Sequence, residues 1–148
     1  MQTESSHKAG IKLIYLLKRF MDEWNEKNLC RAHCPGFNYA QLPLFMTIGK
    51  TPISNNEAAA KLNISKQASS KILKELEAIN MVQSEKSTAD GRSVMLQLTP
   101  EGEEYYNYVL TQITQLEDKY KKLVGAKNYE TALDVMAKLV EFHEKQSC

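Results

Sequence analysis

The sequence of 148 residues has few cysteines and no long hydrophobic run. Its three cysteines, Cys30, Cys34 and Cys148, are an odd number and too few for a disulfide scaffold, which fits a reducing compartment. No apolar stretch approaches the length of a membrane span, and the polar residues 1–8 contain no signal-peptide core. We therefore expect a cytoplasmic protein.

The sequence also lacks the motifs that mark common enzyme classes. It has no glycine-rich phosphate loop, no nucleophile elbow and no two-histidine metal motif. We therefore expect neither catalytic activity nor a bound cofactor. The length suits one domain with a real core and leaves little room for a second.

The charges are distributed unevenly, although the formal net charge is only +1. Between Lys61 and Lys74 every ionisable residue is a lysine, whereas acids outnumber bases from Glu101 onwards. This local polarity indicates one surface for an anionic partner and another surface for a different contact.

Hydrophobic periodicity predicts helices at both ends of the chain. Residues 7–28 carry an apolar stripe at intervals of three and four, and residues 43–48 suit a shorter helix. A long helix is predicted from Thr99-Pro100 to Gly125, and a last helix over about residues 128–145. These stripes are typical of helices that pack on other helices.

The middle of the chain has the capping and helix-ending residues of a helix-turn-helix. Ser54 and Glu57 have capping-box spacing, and Asn63 tolerates the left-handed conformation that ends a short helix. Ser65 can cap a second helix, which Asn80 would end. The predicted buried face of this second helix consists of Ala68, Ile72, Leu73, Leu76 and Ile79.

Two alternating segments follow, and they predict a β-hairpin over residues 81–86 and 94–98. Asp90-Gly91 is a strong turn signal between them, and Arg92 follows at the tip. A helix-turn-helix followed by such a hairpin is typical of DNA-binding proteins, because a helix fits the major groove.

The outer face of the second helix supplies the candidate DNA contacts. Gln67 can pair with adenine and Lys71 can reach guanine acceptors, whereas the other polar residues suit phosphates or bases. A solvated helix face is the alternative, but no acid balances the lysines here. The predicted DNA-binding residues are Ser54, Ser65, Lys66, Gln67, Ser69, Ser70, Lys71, Lys74, Asp90 and Arg92.

The segments SNNEAAAKLNIS, KQASSKILKELEAINMV and DGRSVMLQLTPEG closely resemble the MarR family of winged-helix regulators. The resemblance implies that Arg92 enters the minor groove and that Asp90 helps to hold the wing in place. Asn80 stands where the family usually has glycine, and asparagine tolerates the same conformation. The resemblance also implies a homodimer whose first and last two helices interlock.

The expected fold is therefore mainly α with a small β-wing, a winged helix-turn-helix with N- and C-terminal dimerisation helices. We expect one MarR-like domain over residues 1–148, with a DNA-binding part at about 40–99 and dimerisation parts at 7–34 and 100–148. The expected function is a sequence-specific regulator of transcription on double-stranded DNA with a pseudo-palindromic operator. The alternative is a winged-helix module that binds protein and has no specific DNA site.

The family resemblance further implies a repressor that a small aromatic ligand or oxidation releases from DNA. The candidate pocket residues are Trp24, Phe37, Tyr39, Phe45 and Met46, although each of them also suits the core. Cys30 and Cys34 flank Arg31 and His33, which favour thiolates, so the pair could form a redox switch. A loop with two unpaired cysteines is the alternative, and structural zinc would need more ligands than this segment offers.

Overall fold

The computed structural model describes residues 6–30, 34, 36–86 and 94–146, and within these ranges it contains six α-helices and three short β-strands. The helices are α1 (Ser6–Asn25), α2 (Leu42–Ile48), α3 (Asn55–Leu62), α4 (Lys66–Ala78), α5 (Pro100–Val124) and α6 (Ala126–Gln146). The strands are β1 (Ile53–Ser54), β2 (Val82–Lys86) and β3 (Val94–Leu98). A π-turn (Glu26–Cys30) follows α1, and a 3-10 turn (Tyr39–Gln41) precedes α2.

The chain forms two compact units, Met1–Val109 and Leu110–Cys148, and α5 begins in the first unit and ends in the second. The first unit contains the antiparallel sheet, in the order β1-β3-β2. Ile53 pairs with Leu96, Val82 pairs with Leu98, and all four side chains are buried. The predicted hairpin strands are confirmed, whereas β1 was not predicted because two residues are too few for a periodic signal.

The core of the first unit is built from apolar side chains of α2, α3, α4, the sheet and the start of α5. Phe37, Phe45 and Tyr105 form an aromatic cluster in it, with ring centroids 5.0–5.7 Å apart. Leu76 of α4 and Leu96 of β3 are both fully buried. The helix-turn-helix and the hairpin therefore share one hydrophobic core. Packing of the apolar side of α4 into this core holds the helix in place and leaves its polar side at the surface.

The start of α5 is joined to the end of α4 by a compact polar junction. The Thr99 hydroxyl donates to the Asn80 carbonyl at 2.6 Å and accepts from the Gly102 backbone N–H at 2.9 Å. Asn80 has a φ of 60°, in the left-handed region that the sequence predicted. A Cβ on Gly102 would lie 2.0 Å from the Met81 carbonyl oxygen, so only glycine allows this approach of α5 to the chain after α4.

The second unit consists of the end of α5 and all of α6. The Tyr120 and Tyr129 rings lie 6.1 Å apart, and Lys121 Nζ lies 5.8 Å from the Tyr129 ring. No residue of α6 is buried, although its surface includes large apolar side chains. These exposed side chains are Leu133, Val135, Met136, Leu139, Val140 and Phe142.

Helix α1 exposes apolar side chains in the same way. Its exposed large residues are Ile11, Leu13, Ile14, Tyr15, Leu17, Phe20 and Met21. Isolated exposed apolar residues are common, but whole helices with unburied stripes are not, and they mark contact surfaces. Among the helices described, none combines the length and the apolar character needed to cross a membrane.

The observed helix ends correct two of the predicted boundaries. The α-helical part of α1 ends at Asn25, and the predicted end at residue 28 lies inside the π-turn, where the Asn28 side chain donates to the Trp24 carbonyl. Helix α6 begins at Ala126, directly after Gly125, whose φ of 90° breaks the helix as predicted. Gly125 is thus the whole connection between α5 and α6.

Candidate nucleic-acid interface

The helix-turn-helix is shaped by three local backbone signals. The Ser54 hydroxyl accepts from the Glu57 N–H at 3.0 Å and begins α3, and Asn63, with a φ of 54°, ends it. The Ser65 hydroxyl accepts from the Ala68 N–H at 3.0 Å and begins α4 after a turn of three residues. These signals confirm the predicted caps and place the start of α4 at the surface.

The exposed face of α4 is basic. Lys66, Gln67, Lys71 and Lys74 are exposed and Ser70 is half-buried. Together with Glu75 they line a shallow depression of about 500 Å³. In the described part of the chain no acidic side chain pairs with Lys66, Lys71 or Lys74. Five of the six polar side chains predicted to contact DNA along this helix therefore lie on one surface.

The two acids of α4 are bound to neutral neighbours. Glu75 accepts a hydrogen bond from the Gln41 side-chain amide at 3.0 Å, and Gln41 itself is almost fully buried. Glu77 accepts from the hydroxyl of Ser84 on β2. Hydrogen bonds to a charged acceptor are stronger than neutral ones, so these two contacts help to hold α4 against the 3-10 turn and the hairpin. Sequence reasoning missed both, because each joins residues that are distant along the chain or on different elements.

The placement of Ser69 corrects one predicted DNA contact. Ser69 is 0% exposed, and its hydroxyl donates to the Asn55 side-chain oxygen at 2.7 Å. Ala68, which was predicted to be buried, is exposed instead. The reason is helical geometry: Ser69 lies four residues before Leu73 and seven before Leu76, so it belongs to the buried stripe. That spacing was available in the sequence, but the polarity of serine concealed it.

Asn55 is a further residue that the sequence did not single out. It is half-buried at the first position of α3, and its amide nitrogen donates to the Ser70 hydroxyl oxygen at 3.3 Å. One amide group thus contacts two adjacent serines of α4. The separation of 14 and 15 residues gives no local signal, so only the packed structure shows this contact.

The predicted wing contacts, Asp90 and Arg92, lie outside the described residues. The strands β2 and β3 that lead to them are paired over five residues each, from Val82 with Leu98 to Lys86 with Val94. The roles of Asp90 and Arg92 stay predictions that rest on the sequence.

The structure does not bring the five predicted pocket residues together. Phe37 and Phe45, 3% and 0% exposed, are core residues of the aromatic cluster. Tyr39, 44% exposed, lines a cavity of about 330 Å³ with charged residues of α1, and Met46 lines a different cavity of about 310 Å³. Trp24 is half-buried on α1.

The predicted redox pair is only partly described. Cys30 is the last residue of the π-turn, and Cys34 is a free, half-buried cysteine whose carbonyl accepts from the Phe37 N–H at 2.9 Å. Residues 31–33 and 35 lie outside the described ranges. Redox sensing therefore stays a prediction.

The two helices α3 and α4, the three-stranded sheet and the basic face define a winged helix-turn-helix protein. A model described as the MarR family matches residues 36–93, which extend from the segment before α2 to the residue before β3. The curated transcriptional regulator AdcR of Streptococcus pneumoniae is 29% identical over 112 residues, which are 64% of this chain and 77% of AdcR.

Solved structures show the same fold over nearly the whole chain. Streptococcus pneumoniae FabT in complex with DNA has a TM-score of 0.85 at 17% identity, covering 96% of this chain and 100% of FabT. Staphylococcus aureus MarR in complex with salicylate and kanamycin has a TM-score of 0.80 at 22% identity, covering 97% and 96%. At these identities the likeness shows the fold alone. The similarity to the MarR family of transcriptional regulators is carried by residues 36–93 and by the partial match to AdcR.

Proposed function

We propose that this chain binds double-stranded DNA as a homodimer and regulates transcription from a pseudo-palindromic operator. The observation that carries the proposal is the surface of α4, where three exposed lysines, Gln67 and Ser70 share one face without a pairing acid. A helix with such a face fits the major groove, where lysine and glutamine reach base edges. In this role Gln67 and Lys71 read bases, and Lys66 and Lys74 contact phosphates.

The two capping serines suit phosphate contacts for a reason that the structure supplies. Ser54 and Ser65 each use a hydroxyl oxygen to accept a backbone N–H. A hydroxyl also has one hydrogen to donate, so each serine can cap its helix and donate to a phosphate at the same time. The positive end of each helix dipole favours the same anion.

In the proposed dimer, a second copy of the chain packs against the apolar surfaces of α1 and α6. Helix α6 buries no residue within one chain, yet it exposes six large apolar side chains. A helix gains most of its stability in proteins from packing of an apolar face, and a second copy would supply that packing. The two α4 helices, which act as recognition helices, would then meet half-sites about 34–36 Å apart, one helical turn of DNA.

Asp90 and Arg92 complete the proposed interface at the wing. The family resemblance assigns Arg92 to the minor groove, where a narrow groove concentrates negative potential. Release of DNA by a small aromatic ligand or by oxidation at Cys30 and Cys34, and an action in the cytoplasm as a repressor, extend the same proposal. A winged-helix module that binds protein is the alternative function.

Selection of binding sites from random duplex DNA tests the proposal. We expect enrichment of an inverted repeat whose half-sites are one helical turn apart, and affinity for it well above that for unrelated DNA. Repeating the selection with added phenols or oxidant tests the release signals. A pool that stays random, with binding at the non-specific level only, would refute the proposed function and favour the protein-binding module.

A further inference from the structure

The contact between Asn55 and α4 determines which way the hydroxyl of Ser70 can donate. The Ser69 hydroxyl donates to the Asn55 side-chain oxygen at 2.7 Å, a typical O–H···O length. The Asn55 nitrogen then donates to the Ser70 oxygen at 3.3 Å. Because an amide nitrogen accepts no hydrogen bond, the Ser70 hydrogen points away from Asn55.

Ser70 keeps this hydrogen available at the basic face. In the described part of the chain its hydroxyl donates to no protein acceptor, and it lines the same depression as Lys66, Gln67 and Lys71. A DNA acceptor at this face, such as a phosphate oxygen or a purine N7, can therefore accept a hydrogen bond from Ser70.

We infer that Asn55 is a positioning residue that keeps Ser70 a hydrogen-bond donor towards DNA. This inference rests on the proposed function and concerns the same face of α4. Asn55 touches no DNA in this role, and it acts through the polarity of its amide. An aspartate at this position would accept from both serines, so Ser70 would turn its hydrogen inwards and present only lone pairs to DNA.

The test is a double-mutant cycle between Asn55→Asp and Ser70→Ala, measured as operator affinity by fluorescence anisotropy. Asn55→Asp adds a negative charge as well as the altered polarity, so Asn56→Asp, at the exposed neighbouring position, is the matched control for charge. We expect Asn55→Asp to weaken binding more than Asn56→Asp does, by about tenfold for each half-site and so about a hundredfold for the dimer, because each protomer loses one hydrogen bond to a charged acceptor. In the Ser70→Ala background this excess should disappear, because no hydroxyl remains to turn.

Equal losses from Asn55→Asp in the two backgrounds would overturn the inference, as would an effect no larger than that of Asn56→Asp. Thermal unfolding of each variant checks folding, and an acid in the first turn of α3 suits the helix dipole. If Asn55→Asp does not fold, Ser70→Ala in the unaltered background tests the premise, because a variant that binds the operator as tightly as the unaltered protein would show that Ser70 donates nothing to DNA and would overturn the inference. Failure of the unaltered protein to bind any operator would instead overturn the proposed function, and this inference with it.

Discussion

The basic face of α4 makes a quantitative prediction about salt. We expect the triple variant Lys66→Gln, Lys71→Gln and Lys74→Gln to lose most of the salt dependence of DNA binding. The three side chains are exposed and, within the described residues, none of them is paired with an acid. Their charges are therefore available to displace counterions from phosphates, whereas glutamine keeps a similar length and polarity without the charge.

The magnitude follows from the count of lysines on the proposed dimer. In the proposed roles, Lys66 and Lys74 on each of two protomers give four phosphate contacts, and each contributes about 0.9 to the slope of log K against log salt, so together they contribute about 3.6. A fourfold rise in salt would then weaken binding by the unaltered protein about 150-fold through these contacts. If Lys71 contacts a phosphate instead of a base, the contribution rises by about 2.

The assay is a titration of labelled operator DNA by anisotropy at several salt concentrations between about 50 and 200 mM, the range in which counterion release dominates. The matched control replaces Lys119, Lys122 and Lys127 by glutamine. These lysines are also exposed, and their loss changes the net charge by the same amount, but they lie outside the winged helix. A slope that both triple variants lower equally would refute the reasoning, because it would show a response to net charge and no local contact.

Four further predictions concern the wing, the base contact, the fold and the dimer. Arg92→Ala should lower operator affinity in the same assay by about tenfold for each half-site and so about a hundredfold for the dimer, because each protomer loses one charge-assisted contact, and an unchanged affinity would contradict the wing assignment. Gln67→Ala should relax the preference at one base pair in each half-site, worth about 1–3 kcal/mol, and a selected site with unaltered preferences would exclude a base contact. Gly102→Ala should lower stability by about 1–3 kcal/mol in thermal unfolding because its Cβ meets the Met81 carbonyl, whereas Gly10→Ala, with open space around it, should not destabilise the protein. Leu139→Glu, at a position 52% exposed in the single chain, should shift the dimer towards monomer in sedimentation, and an unchanged mass would argue against α6 as an interface.

The elements that the sequence predicted well are those with local causes. Ser54, Ser65 and Thr99 each accept a backbone N–H three residues ahead, and Asn63 and Asn80 both adopt positive φ. Such signals depend on residues within one turn of each other, so they can be recognised in the sequence without the tertiary structure.

The features that the sequence did not predict depend on contacts between distant residues. Strand β1 exists because Ile53 and Ser54 pair with β3, which lies some forty residues further along the chain. Helical spacing places Ser69 on the apolar stripe, and its burial is tolerated because Asn55 supplies a partner for its hydroxyl; without that partner a buried serine would be costly. Gln41 reaches Glu75 across 34 positions. Periodicity identifies the face of a helix, but it does not show which polar residue on that face finds a partner.

The unburied surface of α6 has a consequence for cells that contain two versions of this protein. If α6 joins the protomers, a variant altered only at Lys66 or Gln67 keeps its assembly surface and pairs with the unaltered chain. Such a mixed dimer has one functional recognition helix and loses the second half-site of the operator. At equal expression and with random pairing, about three quarters of the dimers would contain an altered chain, as expected for a symmetric dimer. Substitutions that inactivate the basic face of α4 are therefore expected to be dominant, whereas substitutions that prevent assembly through α6 are expected to be recessive.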